Sequence, residues 1–301
     1  MNEELQKYIA ECEKKYGHTP SIEILKQWIG EFVQKRNSTA LSQFEGYSPN
    51  DMFALIHGLW DADSPVKMRR LIEEDLNTIP LFRQVKHITD ILLCEGKIKL
   101  TATNAIPPKI VKEVYELGIG DELIDSGILK LTKELDSQTV ILTHIMLKIM
   151  KIIKEQKGVM TLTKKGEKIA KDSNKLFQEL LWNFTCSYNF AYFDGYNNEQ
   201  VGGMGCGFSI ILLSKYGDQK RSYKFYAEKY FKAFPELLNG FTRKYHTIEE
   251  QGGHCYSLRT FERFMIHFGL IEIEKTKYPE SEVYITKTHL FDKFIDVTKQ
   301  P

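Results

Sequence analysis

Three stretches of the chain share one order of apolar and polar positions. In each, apolar residues recur every three or four positions and a short alternating run follows. An apolar residue and a threonine, which we call the threonine step, then precede a second amphipathic stretch. The steps are Leu100-Thr101, Leu162-Thr163 and Ile285-Thr286. Apolar residues at every third or fourth position are typical of an amphipathic helix, and the alternating run is typical of a half-buried strand. Because helix, strand, turn and helix follow in the order of a winged-helix unit, the sequence predicts three such modules in tandem.

The resulting prediction is a mostly helical α+β fold, in which a helical N-terminal region precedes tandem winged-helix-like modules. Within that region, Ser48-Pro49 with Asp51 three residues on predicts a capped helix start. A further helix is predicted to begin at Asp63-Ser64-Pro65 and to include Met68. The predicted segments are residues 1–78 (helical N-terminal region), 79–135 (first module), 136–195 (second module), 196–256 (helical insert with a Gly-rich loop) and 257–301 (third module).

Two predictions concern connections in the second half of the chain. The apolar spacing after Gly166 predicts one long helix that ends near Asp194-Gly195. A second glycine pair, Gly252-Gly253, predicts a loop ahead of the third module, because glycine weakens a helix interior.

The helix predicted over residues 257–268 has a phenylalanine stripe. Phe264 stands three residues after Phe261 and four before Phe268, which predicts that these rings share one buried face. The opposite, exposed face is predicted to carry Arg259, Glu262 and Arg263. The wing that follows is predominantly acidic, which disfavours contact with phosphates there.

Composition narrows the range of functions. The chain has 301 residues, with 41 Lys and Arg against 40 Asp and Glu, so no overall field attracts it to nucleic acid or membrane. The five cysteines are scattered and never spaced as C-x-x-C, which is typical of reduced thiols. The N-terminus lacks the basic and apolar regions of a signal peptide. These features predict a cytoplasmic protein without a membrane partner, and they leave the oligomeric state open.

Several short segments resemble, in the same order, an uncharacterised bacterial family named after a plasmid-encoded open reading frame. They are Gly46-Tyr47-Ser48-Pro49, Lys99-Leu100-Thr101-Ala102-Thr103-Asn104, Leu162-Thr163-Lys164-Lys165-Gly166, Phe193-Asp194-Gly195-Tyr196 and Arg259-Thr260-Phe261-Glu262-Arg263-Phe264. This chain has Asn104-Ala105 where similar proteins have Gly-Asn. The family has no assigned activity, so the resemblance implies no catalytic residues.

Two motifs invite a chemical interpretation. Gly203-Met204-Gly205-Cys206-Gly207 could approach a phosphate, but no strand is predicted before it and no Gly-Lys-Ser/Thr follows, so a connecting loop is favoured. His254-Cys255 lacks the paired spacings of structural zinc, and no metal or other cofactor is predicted. A Cys–His nucleophilic pair assembled in the fold stays open. We see no paired catalytic set, so a non-enzymatic protein is favoured, with an unrecognised enzyme as the third alternative.

The strongest functional signal is a run of lysines in the second module. Nine lysines lie between residues 148 and 175, and the predicted phosphate contacts are Lys148, Lys151, Lys164, Lys165 and Lys168. The hypothesis is non-enzymatic binding of nucleic acid without base reading. An ordinary solvated lysine face is one alternative. A scaffold whose modules contact each other or a protein partner is the other. A second basic run, residues 215–244, contains tyrosines that could stack on unpaired bases or lie in the core.

Overall fold

A computed structural model describes residues 2–17, 19–242, 246–276 and 282–298. The chain divides into two compact units: the first comprises the residues up to Pro65 together with Thr298, and the second is Val66–Val297. Helices predominate and the sheets have two or three strands, so the prediction of a mostly helical α+β class is confirmed.

The first unit is helical. It contains α1 (Asn2–Tyr16), α2 (Ile22–Ser38), a short 3-10 helix (Ser42–Phe44) and α3 (Pro49–His57). The predicted cap at Ser48 is confirmed: the Ser48 Oγ accepts a hydrogen bond from the Asp51 N–H at 3.2 Å, and the Ser48 N–H donates to Asp51 Oδ2 at 2.8 Å. The reciprocal pair satisfies two of the donors that a helix start leaves open.

The second unit contains the other elements. Its helices are α4 (Glu73–Leu76), α5 (Pro80–Glu95), α6 (Pro108–Leu117), α7 (Glu122–Asp125), α8 (Gln138–Ile149), α9 (Lys164–Ala170), α10 (Ser173–Cys186), α11 (Cys206–Tyr216), α12 (Tyr223–Ala233), α13 (Ile248–Tyr256) and α14 (His289–Phe294). Two 3-10 helices (Glu134–Asp136, Pro235–Gly240) and a π-helical segment (Ser257–Met265) complete the helical elements. The strands are β1 (Val66–Met68), β2 (Ile98–Lys99), β3 (Ile153–Gln156), β4 (Val159–Leu162), β5 (Arg221–Ser222), β6 (Ile271–Lys275), β7 (Val283–Lys287) and β8 (Ile295–Val297).

Two of the three sheets are built in the same way. One has the order β2-β4-β3 and the other β5-β7-β6, so a hairpin places its second strand against an earlier short strand in both. In each case, one helix precedes the short strand: α5 before β2 and α11 before β5. The elements between the short strand and the hairpin differ: α6, α7, a 3-10 helix and α8 follow β2, whereas α12, a 3-10 helix, α13 and the π-helical segment follow β5. The β2–β4 pairing crosses the predicted boundary between residues 135 and 136, so a division there would separate hydrogen-bonded strands of one sheet.

The prediction of a helix that begins at Asp63-Ser64-Pro65 is wrong. Residues Val66–Met68 instead form β1, which pairs antiparallel with β8 and places Val66 opposite Val297. The third sheet therefore joins the two ends of the second unit. The backbone hydrogen bonds come from a segment far away in sequence, which a local capping signal cannot reveal.

Only one of the three threonine steps has the predicted geometry. The Thr163 Oγ1 accepts a hydrogen bond from the Gly166 N–H at 3.0 Å and caps α9. The Thr101 Oγ1 accepts from the Ala105 N–H at 3.1 Å within a turn, and α6 begins only at Pro108. Thr286 lies inside β7, and the cap of the following helix is Thr288. The threefold repeat of this step is therefore not present in the structure.

The two predictions for the connections are also wrong. The long helix after Gly166 is divided, because Asp172 caps a new helix by accepting a hydrogen bond from the Lys175 N–H at 3.1 Å. Gly252-Gly253 lies inside α13, which begins five residues earlier at a capping box formed by Thr247 and Glu250. The capping box outweighs the weak helix propensity of the two glycines. The turn that the sequence suggests at residues 278–279 lies outside the described residues.

An aromatic core holds the second unit together. Phe177 of α10 contacts Phe82 of α5 at 6.0 Å and Phe294 of α14 at 5.4 Å between ring centroids. Phe184, two turns further along α10, stacks on Phe264 of the π-helical segment at 5.3 Å. Since α10 contacts elements from both ends of the unit, its apolar face is a central packing surface.

The start of α9 lies unusually close to the strand it faces, and this makes Gly166 sensitive to substitution. A Cβ atom at Gly166 would lie 2.0 Å from the backbone oxygen of Ile152. We expect Gly166→Ala to lower the free energy of unfolding by about 3 kcal/mol, as overpacking against rigid backbone does. Urea denaturation followed by circular dichroism measures the change.

Gly253→Ala is the matched control. A Cβ atom at Gly253 would lie 3.5 Å from the Tyr223 ring, an ordinary contact, inside helix α13. Alanine is the better helix former, so this variant is expected to gain about 0.5 to 1 kcal/mol. Equal stability of the two variants would contradict the close approach at Gly166.

Candidate nucleic-acid-binding surface

Nine lysines form what we call the lysine surface. They lie at the end of α8, on the β3–β4 hairpin, on α9 and at the start of α10, and all nine are exposed. The members are Lys148, Lys151, Lys154, Lys157, Lys164, Lys165, Lys168, Lys171 and Lys175. All five residues predicted as phosphate contacts are therefore accessible.

Thr163 joins the end of α8 to the start of α9. Its Oγ1 donates to the backbone oxygen of Lys151 at 2.9 Å and accepts from the Gly166 N–H, while its own N–H donates to the Ile152 oxygen at 2.9 Å. Lys151 is held in the left-handed region at φ 56°. As a result, the backbone at Lys151, just after α8, is held next to the start of α9, where Lys164 lies.

The β3–β4 hairpin presents a further lysine at its tip. Lys157 (φ 52°) and Gly158 (φ 72°) form a two-residue turn in which both residues are left-handed. This geometry matches the twist of paired strands and favours glycine at the second position. The Leu100 N–H donates to the Gly158 oxygen at 2.8 Å, so the tip is attached to the segment after β2.

Two of the five predicted lysines are engaged by carboxylates. The Lys148 ammonium lies 3.1 Å from Glu155 and the Lys165 ammonium 2.9 Å from Glu179. Within the described residues, Lys151, Lys164 and Lys168 form no ion pair. Lys164 and Lys168 are four residues apart on α9 and therefore share one face. Three lysines are thus available to an anionic ligand without first breaking an ion pair.

A buried histidine, His144, is hydrogen-bonded to Glu155, the carboxylate that pairs with Lys148. The Nδ1 of His144 lies 2.7 Å from Glu134 and its Nε2 lies 2.5 Å from Glu155. Burial raises the pKa of Glu155, but the hydrogen bonds from His144 and Lys148 outweigh burial, and the pKa lies below its usual value. The Glu134 carboxylate also accepts from the Ile106 N–H at 2.6 Å. The network connects segments distant in sequence, and no local motif indicates it.

Three isoleucines lie on the solvent-facing stripe of α8. Among residues 138–149, Gln138 and Lys148 are exposed, and Thr139, Ile141, Ile145 and Ile149 are half-buried. Isoleucine offers neither the donors nor the acceptors that distinguish base pairs in a groove. This stripe therefore provides little for reading a base sequence.

Arg259 corrects the predicted orientation of the third-module helix. The side chain is fully buried, and its Nε and Nη2 each donate to the Asp194 carboxylate at 2.8 Å. Its Nη1 donates to the backbone oxygens of Asn198 at 2.6 Å and Val201 at 3.1 Å. The same carboxylate lies 3.4 Å from Arg263. Arg259 therefore organises the 194–201 loop instead of facing solvent.

This cluster unites two of the segments that carry the family resemblance. Asp194 belongs to Phe193-Asp194-Gly195-Tyr196, and both arginines belong to the segment of residues 259–264. The pKa of Asp194 is lowered, because the hydrogen bond from Arg259 outweighs the effect of burial. An aspartate in one of these segments and arginines in the other are the sequence signal that could have predicted the Asp194–Arg259 ion pair.

The glycine cluster has a packing role. Gly205 precedes α11 at φ 71°, and a Cβ atom there would lie 2.4 Å from the ring of Phe234. Before it, Val201 and Met204 form only an isolated bridge. The segment is a connection between α10 and α11, as predicted.

His254 and Cys255 point to different environments. His254 is exposed and Cys255 is buried, and burial raises the pKa of the Cys255 thiol to about 12. A thiol with that pKa stays protonated near neutral pH and is a poor nucleophile. Among the described residues, no group of three or more His, Cys, Asp or Glu side chains is placed to hold a metal ion.

The tyrosines of the second basic run are mostly core residues. Tyr223, Tyr226 and Tyr230 are buried, and Tyr230 stacks on Tyr256 at 4.3 Å between ring centroids. These rings are inaccessible to bases, so the core alternative applies to them. Residues 243 and 244 of the run lie outside the described part of the chain.

None of the helices in the described ranges has both the length and the apolar character needed to cross a bilayer.

One comparison with known proteins gives a match. A family model described as the Y4jL N-terminal domain matches residues 77–175. The matched range contains α5, β2, α6, α7, α8, β3, β4 and α9. It covers about a third of the chain. Searches of curated proteins and of solved structures give no match. The chain is therefore similar, over the range that carries the lysine surface, to an uncharacterised family named after an open reading frame.

Proposed function

We propose that residues 77–175 form one winged-helix-like unit that binds nucleic acid through the lysine surface. The proposal is supported by the order α5, β2, α6, α7, α8, β3, β4, in which α7 is a helix of only four residues, and by the sheet order β2-β4-β3. The family match begins three residues before α5 and extends past β4 through α9 to the start of α10. A second unit with a sheet built in the same way would run from α11 to β7, with the strand order β5-β7-β6. The proposal therefore has two tandem units in place of the three modules expected from the sequence.

The availability of Lys151, Lys164 and Lys168 carries the functional part of the proposal. These side chains are exposed, and among the described residues they form no ion pair. Lysines that neutralise phosphates release counterions, which supplies most of the affinity of sequence-independent binding. The hairpin tip at Lys157 adds a contact where winged-helix proteins place a wing.

The bound nucleic acid is proposed to be recognised by its backbone. The solvent-facing stripe of α8, the helix before the hairpin, has three half-buried isoleucines and only Gln138, Thr139 and Lys148 as polar groups for base edges. Contacts to phosphates fix position but carry no sequence information. We expect duplexes of unrelated sequence to bind with similar affinity.

Charge reversal on α9 tests the proposal. Lys164→Glu with Lys168→Glu is expected to weaken binding of a fluorescent 20-base-pair duplex at least about tenfold at low salt, because two phosphate contacts become repulsive. Fluorescence anisotropy measures the affinity. For the unmodified protein, the logarithm of the binding constant is expected to fall with the logarithm of salt concentration by about 0.9 for each phosphate neutralised.

The control is Lys109→Glu with Lys112→Glu, which makes the same change in net charge on α6. This variant is expected to keep most of the affinity. If both double variants lose affinity equally, only the net charge matters and the lysine surface is not the binding site. Absence of binding by the unmodified protein at low salt would remove the proposal.

One observation favours the alternative of a protein-interaction scaffold. The isoleucines of α8 lie beside Lys148, which suits an apolar partner surface bordered by carboxylates. Under this alternative, Ile145→Asp removes partner binding in a cross-linking experiment, whereas the charge reversals on α9 leave it largely unchanged. If nucleic acid is the ligand instead, the charge reversals on α9 should weaken binding strongly and Ile145→Asp should weaken it little.

A further inference from the structure

A groove in the second unit is separate from the elements that carry the lysine surface. It has a volume of about 490 Å³ and lies between α12, the 3-10 helix Pro235–Gly240 and α13. Volumes of this size are typical of small-molecule sites. The α13 side of the groove is formed by a helix that continues through Gly252 and Gly253. The sequence predicts a loop at these glycines and therefore does not indicate the groove.

The floor of the groove is apolar and aromatic. Tyr223, Ala227 and Phe231 contribute it from α12, where they are 4%, 5% and 8% exposed. Leu238 closes one end, and Gly253 lines the α13 side. Because Gly253 has no side chain, space remains on that side: a Cβ atom there would lie 3.5 Å from the Tyr223 ring and 3.7 Å from the Ala227 methyl group. An apolar body of ligand size would remove this surface from water.

The rim of the groove has an excess of carboxylates. Glu228 on α12 and Glu249 on α13 are exposed and form no ion pair among the described residues. Lys224, one of the two lysines on the rim, is bonded to Glu282. Glu250 adds a third carboxylate, and Lys232 is the other cation of the rim. After the Lys224–Glu282 pair is set aside, three carboxylates oppose one ammonium group.

Glu250 stays ionised near neutral pH. Its carboxylate accepts a hydrogen bond from the Thr247 N–H at 2.9 Å, and this bond is the main reason why its pKa is lowered. The ring of His246 lies 3.8 Å from the same carboxylate.

We propose that this groove binds a small amphiphilic organic cation, with its apolar body on the aromatic floor and its ammonium group next to the rim carboxylates. Two features of the site support this ligand class over an anion or a neutral lipid. Carboxylates at the rim attract a cation and repel an anion. Tyr223 and Phe231 line the same groove, and aromatic rings attract a cation that lies over their faces.

The test compares three ligands that share one apolar chain. Octyltrimethylammonium, octyl sulfate and octanol are titrated into the full-length protein by isothermal calorimetry, below the concentrations at which they form micelles. The cation is expected to bind with one site per chain and at least about tenfold more tightly than the other two, which corresponds to two surface ion pairs. Equal binding of the three ligands, or no binding of the cation, would overturn the proposal.

Two variants assign the binding to the groove. Glu228→Gln with Glu249→Gln preserves the shape of the rim and is expected to weaken the cation about tenfold while leaving octanol unchanged. Glu116→Gln with Glu122→Gln makes the same charge change at exposed positions outside the groove and is expected to have no effect. If the two pairs behave alike, the rim does not bind the cation.

A third variant fills the groove. Ala227→Leu places a larger side chain on the floor and is expected to remove binding of the cation. A thermal melt shows whether the variant is folded. If it is folded and still binds with unchanged affinity, the cation is bound elsewhere. If it does not fold, the glutamine pairs still decide the proposal.

Discussion

Arg259→Ala is expected to lower the free energy of unfolding of the second unit by about 3 to 5 kcal/mol. The substitution removes both charged hydrogen bonds to Asp194 and leaves that carboxylate, whose side chain is 4% exposed, without its main partner. It also leaves the backbone oxygens of Asn198 and Val201 without the donor that Arg259 provides. Guanidinium chloride denaturation measures the loss.

Lysine is not expected to replace arginine at this position. A lysine ammonium cannot donate in parallel to both Asp194 oxygens and reach the two backbone oxygens, so Arg259→Lys should recover only a small part of the loss. Arg70→Ala, at an exposed arginine of the same unit, is the control and should change stability by less than about 0.5 kcal/mol. Full stability of Arg259→Lys would show that the paired geometry is unimportant.

Phe264→Ala is expected to cost about 3 to 5 kcal/mol of unfolding free energy, through lost burial and the cavity that remains. Phe264 is fully buried, which confirms the prediction from its spacing. Its ring contacts Phe184, Phe190 and Phe268 at 5.3, 5.7 and 5.5 Å between centroids. The cavity would lie where α10 packs on the π-helical segment, so surrounding residues can collapse only partly. A thermal melt should show a much lower midpoint.

Phe53→Ala is the matched control for this substitution. Phe53 is 65% exposed on α3, so the same truncation removes little buried surface and should cost less than about 1 kcal/mol. A Phe264→Ala melt at the unchanged midpoint would contradict the core role of the ring. That outcome would instead indicate that this face of the helix contacts a ligand or a partner.

Local patterns were sufficient for several features of the fold. The reciprocal cap at Ser48 depends on four consecutive residues, so their identities alone specify it. The buried stripe of Phe261, Phe264 and Phe268 follows from spacing within one helical segment. The exposure of Lys164 and Lys168 follows from the cost of burying a charge without a partner. In each case the physical cause lies within a few residues of its effect.

The candidate sites required more than local patterns. The sequence indicated the lysine surface, but not that Glu155 and Glu179 engage Lys148 and Lys165. It placed Arg259 on an exposed face because the spacing of an ordinary α-helix was assumed. The segment is π-helical, and the Ile266 N–H donates to the Phe261 oxygen five residues back. The wider turn changes which side chains share a face.

The sequence by itself determined the helical class, the caps at Ser48 and Thr163, the phenylalanine stripe and the exposure of the lysines. The tertiary structure decided the pairing of β2 with β4, the pairing of β1 with β8 and the burial of Arg259 against Asp194. Each of these depends on partners that are far apart in sequence. Such a contact forms only when packing of the whole unit compensates the entropy of closing a long loop, and no local pattern records that balance.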